Sequence, residues 1–142
     1  MNYQQQISLT TTGSGDMHDL TEQVAALVAS SGIQTGTVNI FNVGSTGAVG
    51  AIEFEPSLQR DMPTILNKLI PASPSYRHEQ AWHDGNGHSH LQATLLGPSH
   101  TVPISDGKLV LGTANLPHGM RCASPAAHYH SDSGRRMRTV SS

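Results

Sequence analysis

The sequence predicts an α+β chain, and three patterns carry that expectation. Period-two alternation in YQQQISLTT (3–11) marks a strand with one wet face. A stripe of Leu20, Val24, Leu27 and Val28 marks an amphipathic helix. Between TVPI and KLVLGT, the step Ser105-Asp106-Gly107 marks a hairpin turn.

The elements follow in chain order. GSGD (13–16) reads as a turn. In DLTEQVAALVASSG, Asp19 faces the free N–H groups of the helix start, with Glu22 three residues on as in a capping box. Gly32 takes the left-handed stop. TGTVNIFNV (35–43) is rich in β-branched residues and predicts a buried strand. GSTG (44–47) breaks it, and AVGAIEFE (48–55) resumes as a strand with Ile52 and Phe54 on one face, Glu53 and Glu55 on the other. Pro56 opens a helical pattern of Leu58, Met62, Ile65 and Leu69. Pro63 lacks an N–H and is expected to kink or divide that helix, with Asp61 as a second cap. Residues 71–87 read as loop. HSHLQATLLGPS (88–99) fits a strand, with both histidines on one face, or a helix capped by Asn86 and ended by Gly97-Pro98. The start and stop signals agree on the helix. Past Thr113 the apolar periodicity lapses. The chain therefore divides into one domain over 1–113 and an irregular tail over 114–142.

Composition bounds the function. A chain of 142 residues suits one domain with a real core. A formal charge of −2 gives no strong field to draw nucleic acid or an anionic membrane. Cys122 is the one cysteine, so neither an intrachain disulfide nor a cysteine-rich zinc site is expected. No stretch approaches the roughly 20 apolar residues of a membrane span, and no basic leader with an apolar run opens the chain. The expectation is a cytoplasmic domain. Nine histidines are the unusual count.

Five constellations carry chemistry, each beside a plainer reading. His78, His83, His88 and His90 with Asp84 offer imidazole and carboxylate ligands for a divalent ion, or are exposed loop histidines. In a helix, His88 and His90 point about 200° apart and do not share one ion. DGNG (84–87) before a helix favours an anion at its N–H groups, or is an ordinary cap. Ser45 and Thr46 in GSTGA donate to a phosphate, or close a hairpin turn. Glu53 and Glu55 on one strand face bind a cation and raise one another's pKa, or are simply solvated. His128, His130 and the arginines 135, 136 and 138 form a functional tail or a disordered basic end.

GSTGAVGAIEFEPSLQRDMP and YRHEQAWHDGNGHSHLQATLLGPSHTVPISDGKLVLGT, in that order, resemble the YjbQ family over about Tyr3 to Thr113. The Y-x-H, D-x-N-x-x-x-H and L-L-G-P-S run is long and specific. Members have been described as secondary thiamine-phosphate synthases. The resemblance implies an α+β fold, a β-sandwich or barrel-like sheet flanked by helices, assembled as a homotrimer. It implies a small phosphorylated metabolite as partner, with no nucleic acid or membrane. The implied reaction joins an aminopyrimidine diphosphate to a thiazole phosphate and releases pyrophosphate. His78, Asp84 and His90 are then the expected catalytic residues. Ser45, Thr46, Asn86 and Gly87 are expected to bind phosphate, and His78, His88 and His90 to ligate a zinc or magnesium ion. A non-enzymatic module for a metal or phosphometabolite, and a metal-dependent hydrolase, are the alternatives. Two departures stand out. Gly44 occupies a place where many members carry histidine, as in a glycine-serine-threonine subgroup. After LGT the chain reads ANLPHGM instead of the usual tryptophan–glutamine motif, as an altered reading frame or a replaced end would. Losing the family's last strand would expose a sheet edge or remove a subunit contact.

Overall fold

The computed structural model describes residues 3–13 and 15–112, and the backbone of His118–Ser124 and Arg135–Ser141. Its strands are β1 (Tyr3–Leu9), β2 (Asp16–Asp19), β3 (Gly36–Asn42), β4 (Ala48–Glu53), β5 (Ser99–Ser105), β6 (Lys108–Leu109), β7 (His118–Ser124) and β8 (Arg135–Ser141). Its helices are α1 (Thr21–Ser31), α2 (Pro56–Leu69), α3 (Arg77–Trp82) and α4 (Gly87–Leu96). The strands form two antiparallel sheets, one in the order β1-β8-β3-β5-β6 and one in the order β2-β7-β4. The fold is α+β, as expected.

One core joins the two sheets and α1. Ile7 of β1, Val38 and Ile40 of β3, Val49 of β4 and Val102 and Ile104 of β5 meet Leu20, Val24 and Val28 beside and within α1. Alternation explains the strand contribution: residues 38, 40 and 42 of β3 are buried while their neighbours are not. Val38 stands opposite Val102 on β5, so the apolar faces are in register. Gly32 closes α1 at φ 72°, a conformation that costs glycine little. Asp106 (φ 52°) and Gly107 (φ 71°) form the left-handed pair of the β5–β6 turn, the geometry that suits a two-residue hairpin.

The structure corrects several local expectations. Asp19 is not the N-cap of α1. Leu20 is, with no side-chain cap bond, yet Asp19 does accept at the helix start as expected: its Oδ1 takes the Thr21 amide (2.9 Å) and hydroxyl (2.7 Å). Residues 16–19, expected to begin in a turn, form β2, a strand too short to show alternation. Glu55 does not continue β4 beside Glu53. It caps α2, accepting from the Ser57 (2.9 Å) and Leu58 (2.7 Å) amides, so the expected carboxylate pair does not share a strand face. Pro63 lies inside an unbroken α2. A proline forfeits one N–H, and the helix continues around that single lost bond. The apolar stripe of α2 also differs: Leu66 is buried, whereas Ile65 and Leu69 are exposed.

The tail departs furthest from expectation. β7 lies between β2 and β4, and β8 lies between β1 and β3, so both are interior strands. Such strands are held by ladders on both edges, a long-range pairing that no local periodicity announces. Residues 125–134, with His128 and His130, lie outside the described residues, as do the side chains of arginines 135, 136 and 138.

Candidate functional site

The chain leaves the sheets after β4, builds α2, α3 and α4, and returns at β5. Gly97 O accepts from the Val49 amide (3.1 Å) and Pro98 O from the Asn42 amide (2.8 Å), fixing the return against β4 and β3. Buried Gln92 of α4 donates to Ile70 O (2.8 Å) and Asn67 Oδ1 (3.2 Å), tying α4 to the end of α2. The candidate residues lie on this excursion.

Residues 77–82, expected as loop, form the six-residue helix α3, which presents His78. Too short to show a repeating stripe, it gave no periodic signal. His83 ends it in the left-handed region at φ 55°. The helical reading of residues 87–96 holds, and Asn86 is the N-cap position of α4, but its side chain makes no cap bond. Its Oδ1 lies instead 3.0 Å from His78 Nε2. Asp84 Oδ1 lies 3.3 Å from the same nitrogen. Asn86 Oδ1 is the hydrogen-bond partner of Nε2, and an amide oxygen only accepts, so Nε2 is the nitrogen that carries the hydrogen, with Asp84 Oδ1 beside it as an ion-pair contact. The His90 ring centroid is 4.7 Å from that of His78, the planes tilted by 58°.

His78, Asp84, Asn86 and His90 are thus brought together. Asn86 is buried and the other three are half-buried. Desolvation raises the Asp84 pKa, but the Asn86 backbone N–H and the His78 imidazole outweigh it and hold the carboxyl below the usual carboxylate range. Asp84 Oδ1 and the wholly buried Ser89 Oγ make no hydrogen bond among the described residues.

Gly87 joins the cluster differently from expectation. Its amide donates to Glu79 Oε1 (2.5 Å), and the Gly85 amide donates to Glu79 Oε2 (2.7 Å). Glu79 was not among the sequence-derived candidates. Its cue was weak: a carboxylate beside Y-x-H and upstream of two glycines. Ser45 is exposed and Thr46 buried in the β3–β4 connection, and no hydrogen bond joins either to the histidine cluster among the described residues. A cleft of about 520 Å³ lies alongside, lined by Ser73, Pro74, Glu79, Gln80, His83 and Gly85. It shares Glu79 and Gly85 with the cluster rather than the two imidazoles.

His88 is buried in the first turn of α4, two residues before His90, which separates their directions by about 200°. Among the described residues no three His, Cys, Asp or Glu side chains are grouped to hold a metal ion. A zinc or magnesium ion at His78 and His90 would find two imidazoles and no third grouped ligand there, so this donor set does not complete a site. The arrangement can hold a proton on an oriented imidazole and set a second imidazole beside it, the equipment of acid–base and charge-stabilising chemistry.

Comparison with known proteins adds a lineage. The family model described as UPF0047 protein YjbQ-like matches residues 5–116. A UPF0047 protein of Methanothermobacter thermautotrophicus is 39% identical over 111 residues, covering 78% of this chain and 76% of its own. One from Archaeoglobus fulgidus is 36% identical over 108 residues, covering 76% and 82%. Among solved structures, a YbjQ-like protein of unknown function from Sulfolobus solfataricus superposes with a TM-score of 0.87 at 31% identity, covering 99% of this chain and 96% of that one. A YjbQ/UPF0047 protein from Clostridium acetobutylicum gives 0.77 at 25% identity, covering 96% and 97%.

Proposed function

The chain belongs to the YjbQ/UPF0047 family, and from that premise we propose that its His78–Asp84–Asn86–His90 cluster acts on a phosphorylated small molecule, forming thiamine phosphate. In that reaction the thiazole nitrogen attacks the methylene carbon of the aminopyrimidine diphosphate. The nitrogen lone pair forms the new bond as the carbon–oxygen bond breaks, and pyrophosphate leaves with the bonding electrons. Charge therefore accumulates on a leaving phosphate oxygen, where a nearby donor lowers the barrier. One observation supports this reading above the rest: two imidazoles stand 4.7 Å apart, with His78 Nε2 fixed between Asn86 Oδ1 and Asp84 Oδ1. His90 is assigned the contact to the leaving phosphate. Asp84 orients His78, and Asn86 sets the ring's angle. Ser45 and Thr46 are assigned phosphate oxygens. The Gly87 amide already serves Glu79, so it contributes by shaping the loop. No step is routed through a metal ion.

We further propose that the working form is a homotrimer. Ile65 and Leu69 on α2, Trp82 on α3, and Leu91 and Leu95 on α4 are large apolar residues left exposed, more than scattered surface residues require. Light scattering on the purified chain should give three times the chain mass of 15.1 kDa; a mass of one chain at micromolar concentration contradicts the assembly.

The experiment for the reaction supplies both thiamine precursors to the wild-type chain and to His90→Ala, with and without chelator, and quantifies thiamine phosphate. Product from the wild type alone is expected. Tight precursor binding with no product in either would point to the non-enzymatic module. Hydrolysis of phosphoesters abolished by chelator would point to the hydrolase.

A further inference from the structure

We propose that Glu79 is a positioning residue, a carboxylate clamp that assembles the histidine pair by gripping the loop between α3 and α4. This rests on the functional reading above only for its effect on turnover; the clamp itself stands on geometry.

Glu79 directly follows His78 on α3. Its Oε2 accepts from the Gly85 amide at 2.7 Å and its Oε1 from the Gly87 amide at 2.5 Å. Asn86 lies between those two residues. One carboxylate therefore holds the backbone on both sides of the residue whose Oδ1 meets His78 Nε2 at 3.0 Å. The same grip fixes where α4 begins, and hence where His90 sits one turn later, with its ring beside that of His78.

Three features make the grip specific. Bonds from N–H groups to an ionised carboxylate are among the stronger hydrogen bonds. Gly87 is buried, so its amide has no ready substitute in water if Glu79 is lost. A side chain at 87 would also disturb the clamp: a Cβ there would lie 2.7 Å from Glu79 Oε1, which would have to move, and 3.2 Å from His78 Cβ. Glycine suits the position because Glu79 and His78, both on α3, lie where a Cβ would be. Gly85 takes φ 72°, a left-handed step that turns its N–H toward the carboxylate.

The test uses the full chain as wild type, E79Q, E79A and G87A, with three readings. The first is the nuclear Overhauser contact between the His78 and His90 rings. The second is hydrogen exchange of the Gly85 and Gly87 amides. The third is the division of any rate loss between kcat and KM for thiamine phosphate formation. E79A is expected to lose the ring contact and to speed exchange at both amides by on the order of tenfold or more, with the loss of rate in kcat. E79Q keeps one acceptor oxygen and is expected to fall between E79A and the wild type. G87A strikes the clamp from its other side with Glu79 intact and should reproduce the lost ring contact, which decides the matter if E79A does not fold. An unchanged ring contact and unchanged exchange in folded E79A overturn the proposal. Should the wild type make no product while ring contact and exchange respond as expected, the clamp stands and the assigned reaction falls.

Discussion

At the scale of single residues, the chemistry of the cluster depends on side chains turned away from their commonest uses. Asn86 stands at an N-cap position yet offers its oxygen to His78. Asp84 accepts from the Asn86 amide, and its Oδ1 lies 3.3 Å from the His78 imidazole. Its carboxyl is held below the usual carboxylate range: desolvation opposes ionisation, but the Asn86 amide and His78 prevail. A carboxyl whose folded pKa is depressed stabilises the fold fully above its unfolded value, near about 4, and loses that contribution as pH falls through the folded value. Asp84→Asn should therefore flatten the acid limb of stability below about pH 4 and leave its slope near neutrality unchanged. Thermal melts from pH 2 to 7 measure this, and an identical acid limb in both proteins contradicts the assignment. Asp16 is depressed in the same direction, through the Thr12 amide and His18 against its own desolvation, so Asp84→Asn should reduce the acid limb without abolishing it.

At the scale of elements, legibility followed length and periodicity. α1, β3 and the β5–β6 hairpin were readable because each carries its own repeat or turn chemistry: Leu20, Val24 and Val28 at helical spacing, Val38 and Ile40 at strand spacing, Asp106-Gly107 at the turn. α4 was readable from its stop, Gly97-Pro98. α3 was not, because six residues make under two turns and its anchors are side chains, Glu79 reaching forward to Gly85 and Gly87 and His78 to Asn86. β7 and β8 were missed because their support is the strands on either side of each, drawn from distant parts of the chain. Four of the candidate site residues, His78, Asp84, Asn86 and His90, were named from the sequence and do converge. The clamp that gathers them was not, since a lone glutamate reveals its role only when its partners are seen. Ile40 tests the sheet account directly. It is wholly buried at the centre of β3, opposite His100 on β5 and Thr139 on β8. Ile40→Ala should cost about 2–5 kcal/mol, read by urea denaturation. A loss well under about 1 kcal/mol would mean that β3 is not the centre of the core.

At the scale of the whole molecule, a division of labour is visible. The two sheets and α1 hold the apolar core, while the excursion from α2 to α4 holds the histidine cluster and the exposed apolar side chains. No helix among the described residues is long and apolar enough to cross a membrane. The rigid part anchors the excursion at both ends, at β4 and at the Gly97–Pro98 return, so the cluster can be precise without lying in the core. The central claim is that this cluster is a working site, and the rate of thiamine phosphate formation by wild type and His90→Ala tests it most directly. Product from the wild type, falling about a hundredfold or more in the variant with the fold intact, is the predicted result. Equal rates in the two proteins, or no product from the wild type, would contradict it.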